Sequence, residues 1–390
     1  MRWTRFKRRL RRPAPGSGDF TQDIDKFLPG NRVQLLHEGG ETFRAMWKAI
    51  DSARRTIHLE TYILRNDQAG QECGQHLMAK AREGVSVRVI YDSFGSLALD
   101  PAYLMQLRNA GVRLLEYHPV APWRPRWAWG RRDHRKILVI DSAQAFTGGV
   151  NISDEHAPIA DGGSGWHDCH VAVQGPAAYE LDRLFRAVWF KESRQWISLA
   201  DYPESLAGNS LVWVAANHEF LHRHRIRRAY VNALRAARRE VLITNAYFLP
   251  DHVIRRALIA AARRGVEVKV LVQGISDVPS VWHAGRHLFD QLLRGGVRLF
   301  EWPGPVLHAK TAVADGLWCT VGSYNMDHRS LRHNLEVNLH ILDHELAADM
   351  RARFQRDMAN ARELKLHEWR CRHWTHKLRE KFWTQFRYFF

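Results

Sequence analysis

Hydrophobic residues follow helical and strand-like spacings in turn, and the whole order occurs twice along this chain. Apolar positions at helical spacing occupy residues 41–55 and 225–239, and each segment is followed by a short apolar run typical of a strand. A second helical segment leads to a strand of the form G-V-x-V-x-V, which begins at Gly84 and again at Gly265. Another helix and strand come next. Strands that alternate with helices predict an α/β fold, in which helices cover the faces of a sheet.

The repeated order of elements reflects an internal sequence repeat. TIHLETYIL (56–64) resembles VLITNAYFL (241–249), and NAGVRLLEYHP (109–119) resembles RGGVRLFEWPG (294–304), each pair with an offset of 185 residues. Two copies of one unit explain these matches better than chance does. The chain is therefore divided into a basic flexible N-terminal tail, a first half, a second half and a basic, aromatic C-terminal segment, at residues 1–30, 31–200, 205–350 and 351–390.

The composition restricts the function and the setting. The 390 residues carry a formal net charge of +17, and a surplus of this size favours an anionic partner: nucleic acid, an anionic membrane or acidic substrates. The four cysteines form no C-x-x-C pair, which argues against a disulfide framework or a cysteine-based zinc site. The basic N-terminus has no apolar stretch typical of a secretory signal, and no run of 18 apolar residues occurs. Any membrane contact is therefore expected to be peripheral.

A polar motif occurs at equivalent places in both copies. Both copies have the pattern H-x-K-x4-D-x6-G-[GS]-x-N. Alternation along a strand places the His and the Lys on one face, where two cationic side chains would repel each other unless they bind an anion. Two occurrences with identical spacing make an accidental match improbable. The motif residues are His134, Lys136, Asp141 and Asn151 in the first copy and His308, Lys310, Asp315, Ser323 and Asn325 in the second.

These residue types suit phosphoryl transfer. A phosphodiester needs cations around its oxygens, which Lys136 and Lys310 can supply with help from the asparagine amides. One neutral histidine can attack phosphorus while the other, protonated, gives a proton to the leaving alcohol. A carboxylate can orient each ring, and the candidates are Asp168, 34 residues after His134, and Glu336, 28 residues after His308. The lysines make a metal or another cofactor unnecessary, and the histidine-rich segments HRHR and HDCH lack a zinc-type set of partners.

The double motif resembles that of the phospholipase D superfamily over residues 31–345, and within it that of the bacterial cardiolipin synthases, particularly type B. Segments that carry the narrower resemblance include IHLETYIL, HRKILVIDSAQAFTGGVNISDEH and LHAKTAVADGLWCTVGSYNMDHRSLRHNLEVN. The resemblance implies two pseudo-twofold-related halves, each a mixed β-sheet flanked by helices, packed into one bilobal enzyme. The active site would lie between the halves.

The resemblance also implies a reaction and roles. Two phosphatidylglycerol molecules would give cardiolipin and glycerol through a covalent phosphatidyl-histidine. His134 would be the nucleophile and His308 the acid and base, with Asp168 and Glu336 holding the rings. The motif aspartates, grouped here with the catalytic motif, would make salt bridges away from the phosphate. Another phosphatidyltransferase or a phospholipase D hydrolase is the alternative function, and a nuclease of the superfamily is a further one.

Two aromatic, basic stretches favour a lipid partner over nucleic acid. The loop 120–132 is an insertion relative to the second copy, and in it Trp123, Trp127 and Trp129 alternate with arginines. Near the C-terminus, aromatic and aliphatic residues recur every four positions and include Phe382 and Phe386. A packed loop, base stacking or a helix docked on the core are the competing interpretations. The pattern predicts peripheral contact with an anionic membrane containing phosphatidylglycerol and cardiolipin, at the cytoplasmic face of the bacterial inner membrane.

Overall fold

The fold is described from a computed structural model, which covers residues 19–128, 130–202, 206–217 and 224–390. These residues form sixteen strands and twelve α-helices, with short 3₁₀ turns at Thr21–Lys26 and Ile159–Asp161. The strands are β1 Leu28–Leu36, β2 Thr56–Thr61, β3 Ser86–Asp92, β4 Arg113–Tyr117, β5 Arg132–Asp133, β6 Ile137–Ile140, β7 Gln144–Gly148, β8 His170–Gln174, β9 Ser210–Asn217, β10 Glu240–Asn245, β11 Glu267–Gln273, β12 Arg298–Trp302, β13 Lys310–Ala314, β14 Trp318–Gly322, β15 Asn334–Leu342 and β16 Arg362–Leu364. The helices are α1 Gly39–Asp51, α2 Gln68–Arg82, α3 Pro101–Asn109, α4 Pro176–Ser193, α5 Arg225–Ala236, α6 His252–Arg263, α7 Pro279–Arg286, α8 Phe289–Arg294, α9 His328–Arg332, α10 His344–Asn360, α11 Leu366–Cys371 and α12 Trp374–Thr384.

The strand order displays the repeat directly. The first half runs β4-β3-β2-β6-β7-β8-β1 across the sheet, and the second runs β12-β11-β10-β13-β14-β15-β9 in the same pattern. In each half the three outer strands are parallel and the rest are antiparallel, so both half-sheets are mixed. The predicted α/β fold with two similar halves is confirmed. The halves join edge to edge, because β1 pairs with β9, and the sheet is therefore continuous between them.

Local sequence signals explain where the helices begin and which face they bury. Asp67, Asp251 and Asp343 each precede a helix, and each side chain accepts a hydrogen bond from a backbone amide of the first turn. Helix α1 buries Phe43, Met46, Trp47 and Ile50, which recur at the helical spacing that the sequence predicts. Each half has its own apolar core, and a third core lies between the halves under α4 and α10.

Two predicted boundaries differ from the structure. Strand β1 begins at Leu28, inside the predicted N-terminal tail, and Phe20 and Phe27 are buried in the core of the second half. Residues 1–18 of that tail lie outside the described residues. The C-terminal segment is also less separate than expected, because β16 pairs with β12 and Trp369 is buried beside Phe289. In both places apolar side chains tie a terminal segment to the second half.

Candidate active site

The two motif histidines are placed by matching backbone contacts between the halves. The His134 amide donates to the carbonyl of Leu335 at 3.0 Å, and the His308 amide donates to the carbonyl of His167 at 2.8 Å. Short parallel bridges accompany both contacts, from β5 to β15 and from His167 to Leu307. Each histidine is thereby fixed to the residue just before a buried carboxylate of the opposite half.

The carboxylates consequently pair with the histidines across the halves. His134 Nδ1 lies 3.1 Å from both carboxylate oxygens of Glu336, and His308 Nδ1 lies 2.7 Å from Asp168 Oδ2. A carboxylate bonded to Nδ1 leaves Nε2 of the ring for chemistry and fixes the tautomer. Each motif histidine therefore takes its carboxylate from the opposite half.

The two lysines are buried beside the histidines. Lys136 Nζ donates to the carbonyl of His134 at 2.7 Å, and Lys310 Nζ makes the same contact to His308. Burial, and then Lys310, lower the pKa of Lys136 to about 7, and burial lowers that of Lys310 to about 8. The repulsion between lysines of opposite halves indicates that both face one space. An anion such as phosphate bound there would relieve this repulsion, as the sequence predicts.

The surrounding charges give the two carboxylates different pKa values. Burial raises the pKa of Glu336 to about 7, against the opposing effect of Lys136. Burial acts in the same direction on Asp168, but His308 and Lys310 outweigh it and hold the pKa of Asp168 below its usual range. Burial holds the pKa of His134 well below its usual value and lowers that of His308 to about 3. The site therefore favours neutral imidazoles, with an ionised carboxylate at His308.

The predicted amide and hydroxyl groups lie around these pairs. Asn151 and Asn325 are buried, and Asn151 Oδ1 accepts a hydrogen bond from the Ile63 amide at 3.2 Å. The Ser323 hydroxyl donates to Glu336, so it supports that carboxylate. The structure thus brings together the histidines, lysines, Asn151, Ser323, Asp168 and Glu336 of the prediction. Asn325 is buried as well.

Asp141 and Asp315 lie at the other end of the motif strand, and their grouping with the catalytic residues is corrected. Asp141 accepts hydrogen bonds from the amides of residues 54–56 at 2.7–2.9 Å, and Asp315 from those of residues 238–240 at 2.8–3.0 Å. These amides lead into β2 and β10. Through these backbone hydrogen bonds each aspartate fixes the start of the neighbouring strand.

Several residues at the site were missed by the sequence reasoning. The rings of Tyr62 and Tyr247 lie 5.0 and 6.3 Å from those of His134 and His308. Both tyrosines occupy the same position of the repeated strand, which was a signal available in the sequence. His156 and Trp166 lie beside His308, with ring centroids at 5.3 Å in both cases. Neither His156 nor Trp166 belongs to a sequence pattern that the two copies share.

Three side chains around His308 form a set that could hold a metal. His156, Asp168 and His308 each offer a ligand atom, and the three atoms lie within 4.8 Å of one another. Two imidazoles and a carboxylate are a known transition-metal set. Here, however, Asp168 Oδ2 is already hydrogen-bonded to His308 Nδ1. A metal would break the contact that orients the His308 ring, so these three side chains suit the positioning of His308 better than they suit a metal site. That the protein needs no metal for its reaction stays a prediction.

The predicted membrane residues are exposed where they are described. Trp123 and Trp127 are 84% and 45% exposed, which contradicts a loop with these residues in the core; Trp129 lies outside the described residues. Of the loop arginines, Arg132 is buried, whereas Arg124 is exposed and pairs with Glu116 at 2.6 Å. No helix among the described residues is long and apolar enough to cross a membrane.

The C-terminal helix exposes its apolar stripe. Phe382 and Phe386 are 52% and 39% exposed, whereas Glu380 and Thr384 are buried toward α7. Glu380 accepts a hydrogen bond from Arg372, and the Thr384 hydroxyl donates to the carbonyl of Ala284 at 3.2 Å. The helix is therefore docked on the core through polar groups. Phe390 is not part of the exposed stripe that the sequence predicts, because the helix ends at Thr384 and Phe390 packs near Trp383.

Comparison with known proteins identifies the family. The family described as "Cardiolipin synthase, PLD-like domain" matches residues 46–189 and 230–358. Cardiolipin synthase B of Salmonella typhi is 39% identical over 346 residues, which cover 85% of this chain and 81% of that protein. The cardiolipin synthase of Halalkalibacterium halodurans is 33% identical, with 89% and 70% covered.

Solved structures show the same fold at low sequence identity. The phosphatidylserine synthase of Haemophilus influenzae superimposes with a TM-score of 0.70 at 14% identity, covering 94% of this chain and 96% of that one. The polyphosphate kinase of Porphyromonas gingivalis reaches 0.57 at 17% identity, over 86% and 49%. These likenesses concern the fold, whereas the family match and the curated relatives extend over both halves and both motifs. The chain belongs to the cardiolipin synthase family of PLD-like proteins.

Proposed function

We propose that this protein transfers a phosphatidyl group from one phosphatidylglycerol to another and thereby makes cardiolipin and releases glycerol. The observation that supports it most is the single buried site with two histidines, two lysines and crossed carboxylates. The curated relatives named cardiolipin synthase support the choice of lipid and of acceptor. They also favour this function over phosphatidyl transfer to another alcohol, hydrolysis and cleavage of nucleic acid.

The first step forms a covalent intermediate. His134 Nε2 attacks the donor phosphorus, a P–N bond forms, and the P–O bond to the glycerol headgroup breaks. His308 gives its Nε2 proton to the departing glycerol oxygen. Lys136 and Lys310 stabilise the charge on the equatorial oxygens. The phosphate charge offsets the lysine charges, so binding raises the pKa of His308 toward the value that an acid needs.

The second step reverses these roles. His308, now neutral, takes the proton from a hydroxyl of the second phosphatidylglycerol, and the resulting oxygen attacks phosphorus. The P–N bond breaks, which frees His134 and completes cardiolipin. The protons balance, since the one given to glycerol in the first step is recovered from the acceptor in the second.

The assignment of the two histidines rests on their carboxylates. Asp168 has a pKa below its usual range and is ionised at neutral pH, so it favours the imidazolium form of His308 that acts as the acid. Burial raises the pKa of Glu336 to about 7, so this carboxylate stabilises a positive charge on His134 less. A neutral ring with a free Nε2 is the form required of the nucleophile.

We further infer that the protein binds the cytoplasmic face of the bacterial inner membrane peripherally. The exposed aromatic side chains of the loop and of α12, together with the +17 charge, suit a surface rich in anionic lipid. The chain end also lies beside the site, because the Arg329 amide donates to the Phe390 carbonyl at 2.5 Å and Tyr388 contacts His328 at 4.8 Å. Helix α9, which follows Asn325, therefore connects the aromatic segment to the lipid-reacting groups.

The double substitution of Phe382 and Phe386 by Ser is expected to weaken vesicle binding by about tenfold or more, because each exposed ring loses a large apolar area. Flotation with phosphatidylglycerol vesicles measures this binding. Trp196→Ser is the matched control, since Trp196 is 73% exposed outside the proposed surface. Unchanged flotation of the double variant, or an equal loss in the control, would contradict the assignment of α12 to the membrane.

The proposed reaction is tested by incubating the purified protein with vesicles of labelled phosphatidylglycerol and separating the lipids by thin-layer chromatography. Cardiolipin and glycerol in equal amounts are expected, at the same rate with and without EDTA because the lysines supply the charge. Phosphatidic acid as the main product would indicate a hydrolase. Unchanged lipid together with cleavage of added DNA would favour the nuclease instead.

A further inference from the structure

His156 is a buried residue of the site to which neither the motif nor the proposed mechanism gives a role. It lies five residues after Asn151, in the loop before β8, and its side chain is only about 1% exposed. Its ring packs at 5.4 Å from Trp166 and at 5.3 Å from His308, edge-on in both contacts. Because so little of the ring reaches solvent, the groups next to its two nitrogens determine what it can do.

The two nitrogens of His156 face two functional groups. Nε2 lies 3.4 Å from the Asn151 amide nitrogen and is hydrogen-bonded to it. Nδ1 lies 3.4 Å from Asp168 Oδ2 and makes no hydrogen bond within the described residues, so its approach to the carboxylate is electrostatic. Burial lowers the pKa of His156 to about 3, so the ring is neutral at neutral pH and carries one proton. The Asn151 nitrogen can only donate, which makes Nε2 the acceptor and places the proton on Nδ1, toward Asp168.

Among the described residues, Asp168 has fewer hydrogen-bond donors around it than Glu336 has. Its Oδ1 accepts a bond from the Cys169 amide at 2.7 Å, and its Oδ2 faces His308 and His156. Glu336, by contrast, accepts hydrogen bonds from the Ser323 hydroxyl and from the Asn334 side-chain amide, the latter at 3.3 Å.

The difference between the halves follows from one glycine. Gly149 occupies the position of Ser323 in the repeat, and a Cβ there would lie 2.0 Å from Asp168 Oδ1. No serine hydroxyl fits beside Asp168 for that reason. The position of His156 corresponds to Ser330 in the second half, so the larger imidazole reaches the carboxylate from the other side.

We propose that His156 is a positioning residue, which holds Asp168 against His308 and links this pair to Asn151 at the phosphate. The inference rests on the proposed function, because it assigns a part to a group of that same site. The chain of contacts is Asn151, His156, Asp168 and His308. His156 exchanges no proton with the lipid and acts only through the orientation of Asp168. Both steps that use His308 depend on it.

His156→Ala is expected to lower kcat for cardiolipin formation about 10- to 100-fold with little change in KM, because a small displacement of an acid group has such an effect. His156→Asn is expected to restore part of the activity, since its amide can donate to Asp168 from the Nδ1 position. His156→Gln places its amide near the Nε2 position and is expected to restore less. The rates are measured on phosphatidylglycerol vesicles.

The pH profile distinguishes positioning from general support of the fold. Loss of a donor leaves more negative charge on Asp168 for His308, so the limb of the kcat profile that reports the His308 acid is expected to move to higher pH in His156→Ala. His340→Asn is the matched control: His340 is equally buried, on β15, and within the described residues its two nitrogens have no hydrogen-bond partner. This control is expected to lower Tm and leave the pH limb in place.

Three results would overturn the inference. The first is a kcat of His156→Ala equal to that of wild type. The second is equal activity of His156→Asn and His156→Gln together with a pH limb that has not moved in His156→Ala. The third is a stoichiometric divalent ion that elemental analysis finds in wild type but not in His156→Asn. If wild type itself makes no cardiolipin, the proposed function fails instead, and the two failures are thereby distinguished.

Discussion

Replacement of His134 by Asn is expected to abolish cardiolipin formation, with a fall in rate of at least about 10³-fold, because His134 is the proposed nucleophile that forms the P–N bond. Asn keeps a polar side chain of similar reach near Glu336, so the fold is expected to survive. His308→Asn is expected to be as inactive toward phosphatidylglycerol, since glycerol leaves poorly without an acid. Thin-layer chromatography of labelled lipid gives both rates.

The two histidine variants differ once the leaving group needs no proton. With a donor that carries p-nitrophenol in place of glycerol, His308→Asn is expected to release p-nitrophenol in a burst and to accumulate a phosphatidyl group on His134. His134→Asn is expected to show neither. Mass spectrometry of the trapped protein locates the label. Label on His308 in wild type would reverse the roles, and an active wild type with no label on either histidine would exclude the covalent route.

Replacement of Lys136 by Met is expected to lower phosphatidyl transfer about 10²- to 10³-fold and to raise Tm by a few degrees. Activity falls because the phosphate loses a buried cation. Stability rises because burial and Lys310 lower the pKa of Lys136 to about 7, and a charge destabilised in this way costs free energy in the folded state. Met fills a similar volume without a charge.

The pH dependence of the stability gain follows from the same pKa. Below about pH 7 Lys136 is charged in both states, so its full penalty acts and the gain from Lys136→Met is largest. Above that pH the folded state loses the proton while the unfolded state keeps it, and the gain shrinks until the unfolded lysine also titrates. Thermal unfolding at two pH values on either side of 7 measures it. A gain that grows with rising pH would contradict the assignment.

Inorganic phosphate provides the control for this experiment. An anion that binds only the folded protein stabilises it by mass action, so phosphate is expected to raise the Tm of wild type. The rise is expected to be smaller in Lys136→Met, because one of the two facing cations is absent. Lys269→Met is a matched control, since Lys269 pairs with Glu267 at 2.8 Å on β11, outside the site. An equal phosphate response in wild type and Lys136→Met would show that phosphate binds elsewhere.

The fold follows closely from the sequence because its signals are local and occur twice. The G-V-x-V-x-V strands became β3 and β11, and the motif strands became β6 and β13 at equivalent places of the sheet. The terminal boundaries were less accurate. Phe20 and Trp369 are buried in contacts with distant elements, and the polar residues around them gave no sign of such partners.

The sequence by itself determined the repeat and the α/β fold, because its periodic signals are local. It also predicted the two histidine–lysine pairs and an anionic substrate, because spacing along one strand fixes which side chains share a face. Only the tertiary structure decided which carboxylate serves which histidine. Glu336 and Asp168 contact histidines that lie 202 and 140 positions away along the chain, and they do so because the halves join across β1 and β9. The position of His156 beside Asp168 and the exposure of the apolar stripe of α12 also depend on long-range packing. The spacing of residues along the chain gives no sign of such packing.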